Sequence, residues 1–181
     1  LQEGLLENEI NPAHESIQMT LSNINMSLPR GTCSALIGKV SSGKSSLLSA
    51  MLGEMYHVPG TSLRIDKKIA YVSQQSWTLT KTIKENIVMG LPFSAKRFSD
   101  SLTYSCFLED LNDMPNRELT VIGNKGVNLS GGQKARLAIA RALYSDADVY
   151  LFDDPISALD INVGKAIMEK CILGYLKDKT V

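Results

Sequence analysis

Nine consecutive residues constrain this chain more than anything else in it: Gly38-Lys39-Val40-Ser41-Ser42-Gly43-Lys44-Ser45-Ser46. They fit G-x-x-x-x-G-K-[ST], the pattern of a phosphate-binding loop, and each fixed position has a mechanical reason. Gly38 and Gly43 let the backbone bend around an anion with no Cβ in the way. The loop amides then point inward at phosphate oxygens. Lys44 can reach β- and γ-phosphates, and the Ser45 hydroxyl is an oxygen ligand suited to Mg²⁺. The flanks agree with that reading. Cys33 to Ile37 is short and apolar, which predicts a buried parallel strand entering the loop. Leu47, Leu48, Met51 and Leu52 recur at helical spacing, which predicts a helix whose N-terminus meets the anion.

Composition sets limits on the partners. A chain of 181 residues is long enough for one domain with a sizeable core, and 44% hydrophobic with 21% charged residues is ordinary for a soluble globular protein. Lys+Arg and Asp+Glu number 19 each, so no global field favours nucleic acid or an anionic membrane, and phosphate must be bound by a local site. Cys33, Cys106 and Cys171 are odd in number and form no C-x-x-C, which argues against a disulfide framework and a zinc site and for a reducing compartment. There is no signal-peptide pattern and no run of 18 apolar residues. Opening on Leu1 and stopping at Val181, the sequence reads as a fragment.

Taken in order, residues 1–16 are polar and acidic and read as a linker or poorly ordered lead-in. Ile17/Met19/Leu21 and Ile24/Met26/Leu28 alternate, predicting two short strands that form an antiparallel edge. His14 and His57 stand alone and read as surface residues. Ser62 to Ile65 is a candidate edge strand. Ile69 to Val72 is a second buried strand, and it ends at Ser73-Gln74-Gln75, where ligands bind in open α/β sheets. Thr82 to Ile87 reads as a helical turn. Ser94 to Leu111 reads as one or two amphipathic helices with Phe98, Leu102, Cys106 and Leu111 on the apolar side. The stretch 82–145 is therefore a helical insertion between core strands. Ser130-Gly131-Gly132-Gln133 opens a further helix to Leu143, with Ser130 as N-cap and two glycines leaving first-turn amides bare. Val149 to Phe152 is a third buried strand, closed by Asp153-Asp154-Pro155, and a carboxylate there can hold Mg²⁺ opposite the phosphate loop. Ile161 to Leu173 is another helix, and Lys179 to Val181 begins another strand.

This order of motifs resembles the nucleotide-binding domain of an ABC transporter over residues 17–181: a phosphate loop, a Gln after the next strand, a helical insertion, LSGGQ, then hydrophobics-Asp-Asp-Pro and SALD. Finer wording, including YVSQQSW, TIKENI, KGVNLSGGQKAR and DADVYLFDDPISALD, is similar to the first nucleotide-binding domain of the C subfamily. That subfamily includes multidrug-resistance-associated exporters, sulfonylurea receptors and a chloride channel. The resemblance implies an α/β P-loop NTPase (RecA-like) fold: a parallel core sheet flanked by helices on both faces, the inserted helical subdomain, and a partial N-terminal antiparallel edge. It implies ATP and Mg²⁺ as ligands. Gly38 to Ser46 becomes Walker A, with Lys44 on phosphate and Ser45 on Mg²⁺. Gln74 becomes the Q-loop residue that senses Mg²⁺ and γ-phosphate, and Asp153 the Walker B aspartate. Ser130, Gly131, Gly132 and Gln133 become the signature that clasps ATP held by the opposite domain of a head-to-tail pair, with Asp160 at the seam. The implied setting is the cytoplasmic face of a membrane, beside transmembrane domains and a second nucleotide-binding domain, with no nucleic acid partner.

Departures from the family pattern matter as well. The catalytic Glu that follows Walker B is here Asp154. Its carboxylate is one methylene shorter, so it falls on the order of 1 Å short, and misplacement of that size costs about 10²-fold in rate. The implied activity is ATPase with a slow, degenerate site of its own. No aromatic residue precedes Tyr56 to stack on adenine, and the family's switch histidine falls beyond Val181. Val121 and Asn124 replace acidic residues of a loop that in relatives touches the membrane domains. An organic-anion exporter is one destination, and a largely non-hydrolysing regulatory domain is the alternative that Asp154 keeps alive. A soluble ABC-type ATPase fits less well: Lys44 and Ser130 are only 86 residues apart, with no heptads between them. A GTPase lacks its guanine-reading Asp, since Asn124-Lys125-Gly126-Val127 has none.

Overall fold

A computed structural model describes residues 20–123 and 127–181. The lead-in, the alternating stretch at 17–19, His14 and Asn124 lie outside the described residues. At the centre, β1 (Ile69–Val72) runs parallel to β2 (Val149–Phe152), with Ala70 opposite Tyr150 and Val72 opposite Phe152. Two further segments extend this sheet through backbone hydrogen bonds. Thr180 bridges Val149 in parallel. Val181 N–H donates to Thr32 O at 3.0 Å while Ser34 N–H donates to Val181 O at 2.8 Å, the alternation a parallel pair makes. The order across the sheet is therefore 32–34, 180–181, β2, β1, and the expected strand at Lys179 to Val181 is the piece between phosphate loop and β2.

The helices follow the spacing of their apolar residues. α1 spans Lys44–Met51, α2 Ile83–Val88, α3 Ala95–Tyr104, α4 Leu108–Asn112 and α5 Gly131–Tyr144. α6 (Ile161–Ala166) continues as a π-helix over Ile167–Tyr175. α2 starts at Thr82 because its hydroxyl accepts from Glu85 N–H and the Glu85 carboxylate accepts from Thr82 N–H, a reciprocal cap. No helix among the described residues is long and apolar enough to cross a membrane.

Two hydrophobic clusters meet on α5. Ile139, Ala142 and Leu143 pack with Ala70, Val72 and Tyr150 of the sheet and with Ile167, Cys171 and Leu176. Leu137, Ala140 and Tyr144 pack with Ile83, Ile87, Phe98, Leu102, Phe107 and Leu111. A helix apolar on two sides has to be buried on both, and each fully buried Leu or Ile contributes about 1.5–3 kcal/mol. Polar anchors fix its height. Arg141 Nε donates to Asn86 O at 2.8 Å, its guanidinium lies 3.9 Å over the Trp77 ring, and burial pulls its pKa down to about 10. Asn86, wholly buried, in turn bonds Leu79 and Thr82.

Several expected strands did not form among the described residues, or formed only in part. Cys33 to Ile37 meets the sheet only near its start, and Leu36 and Ile37 are 50% and 91% exposed. Residues 20–28 and Ser62 to Ile65 are not strands either. Instead they border an open trough of about 1220 Å³, apolar along Leu21, Met26, Met51 and Leu63. The alternation was real, but alternation makes a strand only where a neighbour supplies the ladder and a layer covers the apolar face. The helix-on-both-faces expectation is also only half met: the sheet face bearing Ala70 and Val72 is covered, whereas Tyr71 on the other face remains 36% exposed.

Candidate nucleotide-binding site

The site begins where two strands end. Tyr71 pairs with Leu151, and Asp153 lies two residues further along, so period-two alternation puts Tyr71, Leu151 and Asp153 on one face. Asp153 N–H donates to Val72 O at 2.9 Å, prolonging the ladder by one residue and fixing the carboxylate beside β1. α1 brings Ser45 to the same place: its Oγ donates to Asp153 Oδ1 at 3.0 Å across 108 residues of sequence. Tyr71 Oη donates to the other oxygen, Oδ2, at 3.2 Å. Burial first, and the Asp153 charge second, push the Tyr71 pKa up, so it stays a donor at neutral pH. Sequence reasoning missed Tyr71. Its signal was available in principle, since it stands on the outward-facing parity of a strand that ends at the site.

Around this pair the loop takes the shape its glycines allow. Gly43 has φ +89°, reserved in practice for glycine, and caps α1 without any side-chain bond. A Cβ at Gly38 would lie 2.7 Å from Ser42 Oγ, so a side chain there would have to turn that hydroxyl away. Ser41 is also left-handed, at φ 60°. Lys44 Nζ donates to Gly38 O at 2.9 Å and Lys39 O at 2.7 Å, folding the ammonium back over the loop. Those carbonyls are neutral, so a phosphate oxygen is the stronger acceptor for the same group. Lys39 and Val40 are exposed, Ser42 N–H closes a turn on Lys39 O at 3.3 Å, and Ser46 is half-buried in the first turn of α1.

Ser45 and Asp153 suit Mg²⁺. They are hard oxygen donors, one neutral and one anionic, held together at a helix N-terminus, and Mg²⁺ is usually bound by one or two carboxylates plus substrate phosphates. No cluster of three or more His, Cys, Asp or Glu that could hold a metal occurs among the described residues. Gln74 is exposed just past β1, near Asp153 by strand adjacency, yet the two are not bonded. Asp154 is exposed and left-handed, at φ 49°; its carbonyl accepts from Ser157 Oγ at 2.9 Å while its side chain makes no bond among the described residues.

The signature turn is a separate structure. Ser130 caps α5, accepting from Gln133 N–H at 3.2 Å, and Gln133 Oε1 accepts from Ser130 N–H at 3.0 Å. Gly131 is exposed and a Cβ there would have nothing within 4 Å. Gly132 lies against Ala158 O and Leu159 of the SALD segment, which ties the turn to the chain leaving β2. Asp160 caps α6, its Oδ1 accepting from Asn162 and Val163 N–H.

With this geometry described, comparison with known proteins is specific. The ABC transporter family model matches residues 21–157. Multidrug resistance protein mrp-7 of Caenorhabditis elegans is 46% identical over 93% of this chain and 11% of its own length. ABC transporter C family member 3 of Dictyostelium discoideum is 47% identical over 90% of the chain and 11% of its own. ATP-binding cassette sub-family C member 2 of Homo sapiens is 48% identical over 92% and 11%. The chain thus spans about a tenth of the length of the curated relatives it matches. It has the P-loop NTPase fold, and it belongs to the ABC transporter family as a nucleotide-binding domain of the C subfamily.

Proposed function

We propose that this domain binds and hydrolyses ATP as one half of a head-to-tail pair with a second nucleotide-binding domain, on the cytoplasmic face of a membrane transporter exporting organic anions or drug conjugates. One observation carries the pairing. The N-terminus of α5, at Gly131, is exposed, and a Cβ there would meet nothing within 4 Å, so the chain's own phosphate loop does not close over it. That openness supports a ligand brought to Gly131 by another surface. In this reading residues 17–181 form the domain, and the helical subdomain near 82–145 carries the signature toward the partner and meets the transmembrane domains.

Within its own site, Gly38 to Ser46 wraps the phosphates and Lys44 transfers its two hydrogen bonds from loop carbonyls to phosphate oxygens. Ser45 and Asp153, with Gln74 at the strand end, would hold Mg²⁺, which would supply charge neutralisation of the bound phosphates. Asp154 orients the attacking water from a position one methylene short, so the site turns over slowly. The short Asp154 also favours a second reading, a regulatory domain that binds ATP and seldom hydrolyses it.

Gly131→Asp in the full-length protein tests the pairing. The open space around Gly131 accepts the side chain without a clash, so the added carboxylate acts on the incoming phosphate alone. Like charges brought together at an interface cost several kcal/mol. ATP photolabelling of the Walker A site should be unchanged and ATP-driven pairing lost. Equal loss of both would overturn the head-to-tail reading.

A further inference from the structure

The geometry points to Asp110 as a positioning residue for the signature turn, acting through Gln133. This inference rests on the head-to-tail reading above and deepens it. Asp110 lies on α4, twenty-three residues before Gln133, and sequence patterning marked it only as part of an amphipathic helix. In the fold its side chain is 14% exposed, as is that of Arg136. Asp110 Oδ2 accepts from Arg136 Nε at 2.7 Å, and Oδ1 accepts from Arg136 Nη2 at 2.7 Å and from Gln133 Nε2 at 3.1 Å.

The Gln133 amide is therefore committed at both ends. Its NH₂ faces an acceptor-only carboxylate and its oxygen faces the Ser130 N–H, so neither group can be exchanged for the other without a mismatch. Gln133 is a brace between α4 and the cap, held by its oxygen on one side and by one of its two amide N–H groups on the other. The cap in turn uses the amides of Ser130 and Gln133. The donors left unbonded at this turn among the described residues are the N–H of Gly131, the N–H of Gly132, the Ser130 hydroxyl proton and the second N–H of the Gln133 amide. Several donors close together in one turn suit a terminal phosphate. Asp110 sets how they are presented, by fixing the Gln133 amide that closes the Ser130 cap. The simpler account is that Asp110–Arg136 only staples α4 to α5, and it predicts a different result.

Asp110→Asn keeps the volume but turns one acceptor into a donor that must face Gln133 or Arg136. In the full-length protein the maximal ATPase rate should fall about 10-fold, the size of one charge-assisted hydrogen bond. Half-saturating ATP and photolabelling of the Walker A site should stay within about 2-fold of the parent, because α1 is untouched. Asp110→Glu, which keeps an acceptor-only carboxylate, should recover most of the rate. The decisive arm is Gln133→Ala: it should lower the rate as Asp110→Asn does, and in that background Asp110→Asn should add little. Independent, multiplying effects would make Asp110 a staple and overturn the inference, as would a Gln133→Ala protein with the parent rate. Loss of photolabelling together with rate in Asp110→Asn would also overturn it. If Gly131→Asp leaves pairing intact, the head-to-tail reading itself fails. If Gly131→Asp abolishes pairing while Asp110 and Gln133 variants turn over normally, only this inference fails.

Discussion

The phosphate loop and the signature turn both present bare amides at a helix N-terminus, but they are built in opposite ways. α1 has no buried residue, and its cap, Gly43, makes no side-chain bond; the loop's shape comes from glycine conformations and from Lys44 bonding its own neighbours. α5 has eight buried residues, a reciprocal Ser130–Gln133 cap and a carboxylate brace from another helix. Regions with few buried apolar contacts open at lower free energy than core elements. The loop is thus a local device that can adapt to a ligand, whereas the signature is a rigid surface set by the whole helical layer. Changes in the first should appear as affinity for the domain's own nucleotide. Changes in the second should appear as geometry of pairing, with own-site affinity spared.

The largest effect separates the two regions directly. Lys44→Ala removes a charge-assisted contact worth about 1.5–3 kcal/mol, so ATP·Mg²⁺ affinity should fall roughly 10- to 100-fold in a titration of the purified protein. Signature variants should leave that titration unmoved. A Lys44→Ala protein that binds as tightly as the parent would erase the distinction.

A middle-sized effect tests the catalytic side of the loop region. Asp154→Glu should speed single-turnover hydrolysis about 10-fold, with the partner site disabled and ATP affinity little changed. The left-handed backbone at φ 49° works against it, since Asp enters that region more readily than Glu and the strain is of order 1 kcal/mol. An unchanged or slower mutant sinks the short-carboxylate account.

The smallest effect sharpens the role of the strand face. Tyr71→Phe deletes the bond to Asp153 Oδ2 and, at about 0.5–1.5 kcal/mol, should weaken ATP binding some 2- to 10-fold in Mg²⁺ and not at all in EDTA. Because the Tyr71 pKa is raised above its ordinary value of 10.0, the donor is present at all lower pH and lost only as pH rises beyond that value. The Tyr-to-Phe difference should therefore be constant from about pH 6 to 9. A difference that titrates away in that window would assign the effect elsewhere.

Much of this could be read from the residues in order, and what could not has physical causes. β1, β2 and α5 formed where apolar spacing placed them, and the Ser130 cap formed where Ser and Gln stand three apart, because each of those signals is contiguous in sequence. The strand expected at Cys33 to Ile37 failed beyond Ser34 because burial belongs to neighbours, and Leu36 has none to cover it. The motif marked Gln133 at the signature turn, but the bonds that hold its amide, to Ser130 N–H and to Asp110 on another helix, were not visible in the sequence.

By itself, then, the sequence determined the chemistry of the two turns: which backbone stretches could be bare of side chains, which carried Lys, Ser or Asp, and that Asp and not Glu follows Asp153. Those properties depend on residue type at fixed local spacing, which folding does not alter. The tertiary structure alone decided that Ser45 and Tyr71 share the two oxygens of Asp153, and that Asp110 braces Gln133. Those meetings join residues 23 to 108 positions apart, and only the packing of α5 between two hydrophobic clusters and the parallel register of β1 on β2 bring them within hydrogen-bond reach.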